Sequence, residues 1–169
     1  MIADINRLAL IVQRLREDSH TVAMVTGGFD MITLDQVDML QFAKTKADVV
    51  IAGVDSDESL TISKGITPLN PQERRLRMLD SIRFVDFVFP IREAFKFGSL
   101  ESDTVHADII AQLRPDCLIT NPLMDAYYPH KLNRAKELRL SVVPFSSTPF
   151  TAASTAYMLA SLPVHLNEF

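Results

Sequence analysis

Apolar positions along the chain recur with two periods, helix-like and strand-like, that alternate from end to end. The opening stretch sets Ile2, Ile5, Leu8, Ala9, Ile11, Val12 and Leu15 on one helical face and closes in polar Glu17-Asp18-Ser19-His20. It predicts an amphipathic helix over residues 1–18, packed outside a sheet. Thr21-Val22-Ala23-Met24-Val25 reads as a first strand broken by Gly27-Gly28, after which Leu34 to Lys46 carries helical spacing through Val37, Leu40 and Ala43. Asp48-Val49-Val50-Ile51-Ala52-Gly53-Val54 is nearly all apolar, as a strand covered on both faces must be. A loop around Lys64-Gly65 follows. Pro71 suits the first turn of a helix that continues from Glu73 to Arg83 with Leu76, Leu79 and Ile82 inward.

The third strand is Val85-Asp86-Phe87-Val88-Phe89, stopped by Pro90. Thr104 to Leu113 is helical, and Arg114-Pro115-Asp116 turns the chain into a fourth strand, Cys117-Leu118-Ile119-Thr120. Lys131 to Arg139 forms a short cationic helix. The last strand, Ser141-Val142-Val143-Pro144-Phe145, carries a proline that suits a sheet edge, and a final helix begins near Ser154. Alternating strands and helices joined by right-handed crossovers predict an α/β fold: a Rossmann-like three-layer α/β/α sandwich with an extra N-terminal helix. Its five-stranded parallel sheet should run in the order 3-2-1-4-5, with a pocket at the carboxyl ends of strands one and four, where the strand order reverses.

At 169 residues, with no repeat or linker, the chain suits one domain spanning residues 1–169. Its apolar runs fall short of the ~20 residues of a membrane span, and the charged residues within the first nineteen are unlike a secretory signal, so a cytoplasmic protein without membrane contact is expected. The single Cys117 excludes an intramolecular disulfide, and four scattered histidines offer no metal cluster. A net charge of −4 provides no cationic field for nucleic acid. A small phosphorylated ligand remains compatible, because a few amides and cations in one pocket outweigh a mildly acidic total.

The run Thr26-Gly27-Gly28-Phe29-Asp30 resembles the G-x-F-D turn of the cytidylyltransferase-like nucleotidyltransferases. The likeness continues in order and spacing through Val54-Asp55-Ser56-Asp57-Glu58-Ser59, Lys64-Gly65, Leu69-Asn70-Pro71, Arg75 to Leu79, Val85 to Val88 and Leu113-Arg114-Pro115-Asp116. Within that family the sequence is most similar to the nucleotidyltransferase domain of bifunctional ADP-heptose synthase, leading helix included, and next to glycerol-3-phosphate cytidylyltransferase. The resemblance implies that a nucleoside triphosphate, CTP or ATP with Mg²⁺, gives its nucleotidyl group to a phosphorylated sugar or polyol and releases pyrophosphate. It implies small-molecule partners and is compatible with a homo-oligomer. The resemblance places Thr26, Gly27, Gly28 and Phe29 in the nucleotide turn, with Lys64 and Arg75 as phosphate-binding cations. Ser154 and Thr155 match the closing motif, although Ser146-Ser147-Thr148 fits in an alternative register.

One motif departs from the family. Where it has H-x-G-H, this chain has Thr33-Leu34-Asp35-Gln36. Thr33 and Gln36 remain hydrogen-bonding candidates for catalysis beside Lys64, but Asp35 would face the phosphates. The same four residues read equally well as a capping box, Thr33 at the N-cap and Gln36 reaching back to it. The family's lysine after the fourth strand is replaced by Thr120-Asn121-Pro122. Two functions therefore compete: an altered nucleotidyltransferase, and a non-catalytic descendant that binds a nucleotide or serves as an assembly subunit.

Overall fold

The computed structural model describes residues 1–123 and 125–146. The predicted C-terminal helix and the motif residues Ser147, Thr148, Ser154 and Thr155 lie outside the described residues. In chain order the elements are α1 (Ile5–Glu17), β1 (Val22–Gly27), α2 (Leu34–Lys44), β2 (Val49–Val54), α3 (Asp57–Lys64), α4 (Gln72–Asp80), β3 (Phe87–Pro90), α5 (Leu100–Leu113), β4 (Cys117–Thr120), α6 (Tyr128–Glu137) and β5 (Ser141–Pro144). The strands form one parallel sheet in the order β3-β2-β1-β4-β5, the order expected from the sequence, with the proline-bearing β5 at an edge.

Strand alternation divides the core in two. Ala23, Val25, Val50, Ala52 and Val54 face a cluster with Leu40 and Ala43 of α2 and Leu76 and Leu79 of α4. Val22, Met24, Val49 and Ile51 point the other way, onto Leu8 and Val12 of α1, Ile109 and Leu113 of α5, and Ala135 of α6. Both faces of β2 are therefore buried along its whole length. At the amino edge of the sheet, three aspartates hold neighbouring strands in register. The Asp48, Asp86 and Asp116 carboxylates accept the backbone amides of Thr21 (2.8 Å), Val50 (2.8 Å) and Val22 (2.7 Å).

Local chemistry explains where the elements depart from expectation. Ile2 is not helical: the first residues extend the sheet edge, the Ala3 amide donating to Val88 O at 2.9 Å, and Asp4 caps α1. Helix α5 begins four residues early because Ser99 accepts the Ser102 amide at 3.2 Å. Pro71 is the N-cap of α4 rather than part of its first turn. Where the sequence predicts a loop around Lys64-Gly65, residues 57–64 form α3, started by Ser56, whose side chain accepts the Ser59 amide at 3.1 Å, and Gly65 caps its end. Only Ser59 and Leu60 of that helix are buried, too few to write a helical period.

Arg75 organises the carboxyl edge of the sheet. It is fully buried, its Nε donating to Asn70 O at 2.9 Å, Nη1 to Gly28 O, and Nη2 to Asp55 O at 2.8 Å and Asp57 Oδ1 at 2.6 Å. One planar guanidinium thereby ties the turn after β1, the end of β2, the first turn of α3 and the loop before α4. Asp30 reinforces that clamp by accepting the Leu69 and Asn70 amides at 3.0 and 2.8 Å. A lysine at position 75 keeps the charge but cannot reach these separated acceptors, so Arg75→Lys should lower the unfolding free energy by about 3 kcal/mol. Urea unfolding checks this; a loss under 1 kcal/mol would show that the clamp is dispensable.

Candidate functional site

The clamped loops enclose a cavity of about 340 Å³ at the carboxyl ends of β1 and β4. Its floor is the turn Thr26-Gly27-Gly28-Phe29, its sides the first turn of α2, the end of α3 and the facing surfaces of α5 and α6. Of the residues singled out in the sequence, Thr26, Gly27, Gly28, Phe29, Thr33, Gln36 and Lys64 all line it. Arg75 does not. Its place is behind the turn, where three carbonyls and a carboxylate already occupy its guanidinium.

The turn differs from expectation in where its unusual backbone sits. Neither glycine has positive φ; Phe29 does, at 51°, held there by a ring that is almost wholly buried. A side chain at Gly28 would press on Leu60 at 3.0 Å, whereas one at Gly27 would make ordinary contact with the Phe29 ring at 3.5 Å. The turn is thus shaped by the Phe29 anchor and by close packing of Gly28 on α3.

At the start of α2, Gln36 Oε1 accepts the Thr33 amide at 3.1 Å, the Gln36 half of the capping box. The Thr33 hydroxyl is buried and has no hydrogen-bond partner. Asp35 is 95% buried, and its Oδ2 is likewise without a partner. A carboxylate in the first turn interacts favourably with the helix dipole, and that offsets part of the cost of its burial.

Asp55, at the end of β2, is the second such group, with Oδ1 unpaired. Burial pushes its carboxyl up to about 6, against the opposing pull of Lys131, Arg75 and Lys64. Across the cavity stands a wall that sequence reasoning missed as a site. Lys131 pairs with Asp125 at 2.8 Å, Arg134 Nη1 with Asp103 Oδ1 at 2.7 Å, and His130 lies 3.7 Å from Asp103. Burial works against the charge of Asp125, but Lys131 and hydrogen bonds from Lys131, Thr120 and the Tyr127 amide hold its carboxyl below the usual range. His106 donates from Nδ1 to Ser102 O at 2.7 Å, and burial together with Arg134 lowers its imidazole to about 3, so it is neutral. The cationic helix was visible in the sequence, and the i, i+3 spacing of Lys131 and Arg134 was the signal that both share one face.

In formal charge the cavity holds Asp30, Asp35, Asp55, Asp103 and Asp125 against Lys64, Lys131 and Arg134. The acids with unpaired oxygens sit at α2 and β2, the cations on α3 and α6. Among the described residues no group of three or more His, Cys, Asp or Glu side chains is placed to hold a metal ion.

A βα glycine turn below such a cavity, at the reversal point of a 3-2-1-4-5 sheet, defines a Rossmann-like α/β protein with its ligand site at the switch point. The chain matches the cytidylyltransferase-like family over residues 24–159, and it belongs to that family. It is 34% identical over 119 residues to bifunctional protein HldE of Sulfurimonas denitrificans, covering 70% of this chain and 23% of that protein. To bifunctional protein HldE of Yersinia pestis it is 30% identical over 138 residues, covering 81% and 26%. The chain thus spans about a quarter of the length of these curated relatives. The fold is shared with the lipopolysaccharide core biosynthesis protein of Thermoplasma volcanium (TM-score 0.59, 17% identity, 78% of this chain and 99% of that one). It is shared too with the pantoate-beta-alanine ligase of Francisella tularensis, crystallised with beta-gamma ATP and beta-alanine (TM-score 0.63, 16% identity, 88% and 67%). Among the described residues no helix is long and apolar enough to cross a membrane.

Asp55 and His106 give the site opposite pH responses. Between pH 3.8 and about 6 native Asp55 keeps a proton that the unfolded chain has released, so its contribution to stability falls as pH rises. Between about 3 and 6.5 the unfolded chain binds a proton that native His106 refuses, so that contribution rises with pH. Each slope approaches ~1.4 kcal/mol per pH unit, and they offset one another between pH 4.5 and 5.5. Urea unfolding at those two pH values should show little change in the parent, a loss of about 1 kcal/mol on acidification in Asp55→Asn, and a gain of similar size in His106→Gln. An Asp55→Asn profile identical to the parent's would mean that Asp55 does not titrate there.

Proposed function

We propose that this protein is a cytoplasmic nucleotidyltransferase that moves a nucleotidyl group from CTP or ATP to a phosphorylated sugar or polyol, with release of pyrophosphate. The observation that carries the reading is a ligand-sized cavity at the ends of β1 and β4, floored by the family's glycine turn and bordered by Lys64, Lys131 and Arg134. In-line transfer at the α-phosphate asks the protein mainly to position two substrates and to hold developing charge. Lys64, at the C-terminal end of α3, is the cation nearest in sequence to the turn's packing partner Leu60, and the Thr33 hydroxyl and Gln36 amide stand at the start of α2 as polar contacts.

The unpaired oxygens of Asp35 and Asp55 suit a hard divalent cation, and the small number of carboxylates suits Mg²⁺ in particular, which binds through one or two carboxylates and completes its shell with water and substrate phosphates. When bound, Mg²⁺ would supply neutralisation of triphosphate charge, with Asp35 and Asp55 as the side chains that would hold it.

A second reading is favoured by one observation. With Thr33, Asp35 and Gln36 in place of the histidine motif, the first turn of α2 offers carboxylate where phosphate would approach, which suits a non-catalytic nucleotide-binding module or an assembly subunit.

Incubation with each NTP, Mg²⁺ and a panel of phosphorylated sugars and polyols should release pyrophosphate above the protein-free rate. Silence across the panel together with a Tm rise of several degrees on adding CTP or ATP would transfer the protein to the second reading as a binding module. Silence with an unchanged Tm at millimolar nucleotide would leave only the assembly role.

A further inference from the structure

Among the described residues, Arg134 is the cation whose buried donor is left without a hydrogen-bond partner. Its side chain is 93% buried, its one carboxylate partner is Asp103, and its Nε has no hydrogen-bond partner although the residue lines the cavity. Arg75 shows what the same fold does with a guanidinium it needs only for structure: four bonds to four acceptors and no exposure to the cavity. A guanidinium has five N–H donors in a rigid fork, and leaving the buried Nε–H of Arg134 unmet is costly unless an anion completes it. Burial accordingly presses on its charge, and Asp103 only partly restores it.

The surroundings favour an oxyanion as the missing partner. Lys131 lies one helical turn away on the same face of α6, 18% exposed and paired with Asp125. His106, lining the same cavity, is neutral with Nδ1 committed to Ser102 O, so the positive charge there comes from Arg134 and Lys131. The opposite wall is hostile to phosphate, because the N-terminus of α2 is occupied by the Asp35 carboxylate, with one oxygen unpaired, and Asp55 stands close to the turn with another. The cavity thus sets unpaired carboxylate oxygens of Asp35 and Asp55 against the unpaired Nε donor of Arg134 on α6.

We infer that the phosphoryl group of the ligand docks on the α6 wall, in the fork of Arg134 and beside Lys131, rather than at the amino terminus of α2. The ligand's hydroxyl groups, or the cation that accompanies it, then face Asp35 and Asp55. The ligand class is a phosphate monoester or phosphoanhydride. The inference rests on the reading of the cavity as a site for a phosphorylated ligand; it does not rest on turnover.

The test uses the full chain, ¹⁵N-labelled, with the arginine Nε–H resonances and the Gly27 and Gly28 amides followed together. Inorganic phosphate, pyrophosphate, glycerol phosphate, CTP and ATP are titrated in turn, with and without Mg²⁺, against sodium chloride at matched ionic strength. The resonance that disappears in Arg134→Lys should move saturably with at least one phosphate compound and stay still with chloride. Saturation by glycerol phosphate would assign the wall to the acceptor's phosphate; saturation by CTP or ATP alone would assign it to the nucleotide. Arg134→Lys, which retains the charge that pairs with Asp103, should weaken that binding at least tenfold, Lys131→Met about fivefold, and Asp35→Asn less than threefold. Movement of the Gly27 and Gly28 amides with a still Arg134 would overturn the inference and leave the phosphate reading of the cavity intact. Binding of none of the five compounds would overturn both.

Discussion

The buried Arg75 guanidinium is the constraint on which the carboxyl edge of this sheet depends. Four otherwise separate pieces of chain, at Gly28, Asp55, Asp57 and Asn70, converge on it, and each supplies an acceptor that no helix or strand ladder would satisfy. The βα loops of a parallel sheet have no ladder of their own to hold them. A single cation with fixed donor geometry imposes their relative positions more strictly than apolar contact can. The buried Phe29 ring and the Asp30 carboxylate, which accepts the Leu69 and Asn70 amides, hold the same turn and loop beside that clamp.

Within the cavity the electrostatics diverge from what the glycine turn by itself suggests. A turn that opens a helix presents amides and a favourable dipole to an anion, yet here Asp35 occupies the first turn and already interacts with that dipole. The dipole at α2 is already engaged by Asp35, while Arg134 on α6 keeps one buried donor without a partner. Family membership and site chemistry are thus separable: the sheet order and turn place the chain among the cytidylyltransferase-like proteins, and the charges inside decide what such a cavity can hold.

Much of the fold was legible because burial periodicity is a local property of the chain. The unbroken apolar runs of β1 and β2 and the proline of β5 each state a strand and its place in the sheet without reference to distant residues. The turn residues Thr26 to Phe29, together with Thr33, Gln36 and Lys64, were recognisable as cavity candidates through the family resemblance, and the sheet order placed a pocket at the edge where loops after parallel strands gather. Helix α3 escaped because its burial is confined to two residues, and a cap of serine with acids behind it is a weak mark beside a missing period.

Other features belong to tertiary structure alone. Arg75 and Lys64 look alike in sequence, both cations that the family resemblance marks as phosphate-binding. Packing buries the first against acceptors up to 47 residues away and leaves the second lining the cavity. Asp35 reads as an ordinary first-turn acid until α2 is pressed against the sheet and one of its oxygens loses every partner. Arg134 reads as part of a solvated basic helix until α5 brings Asp103 to it across 31 residues and the cavity takes its remaining donors. The sequence determined the elements, their order in the sheet and the edge at which a site must form, because those follow from local pattern and the handedness of crossovers. The tertiary structure alone decided which charges are satisfied and which are left facing the ligand, because hydrogen-bond completion depends on groups that only packing brings within reach.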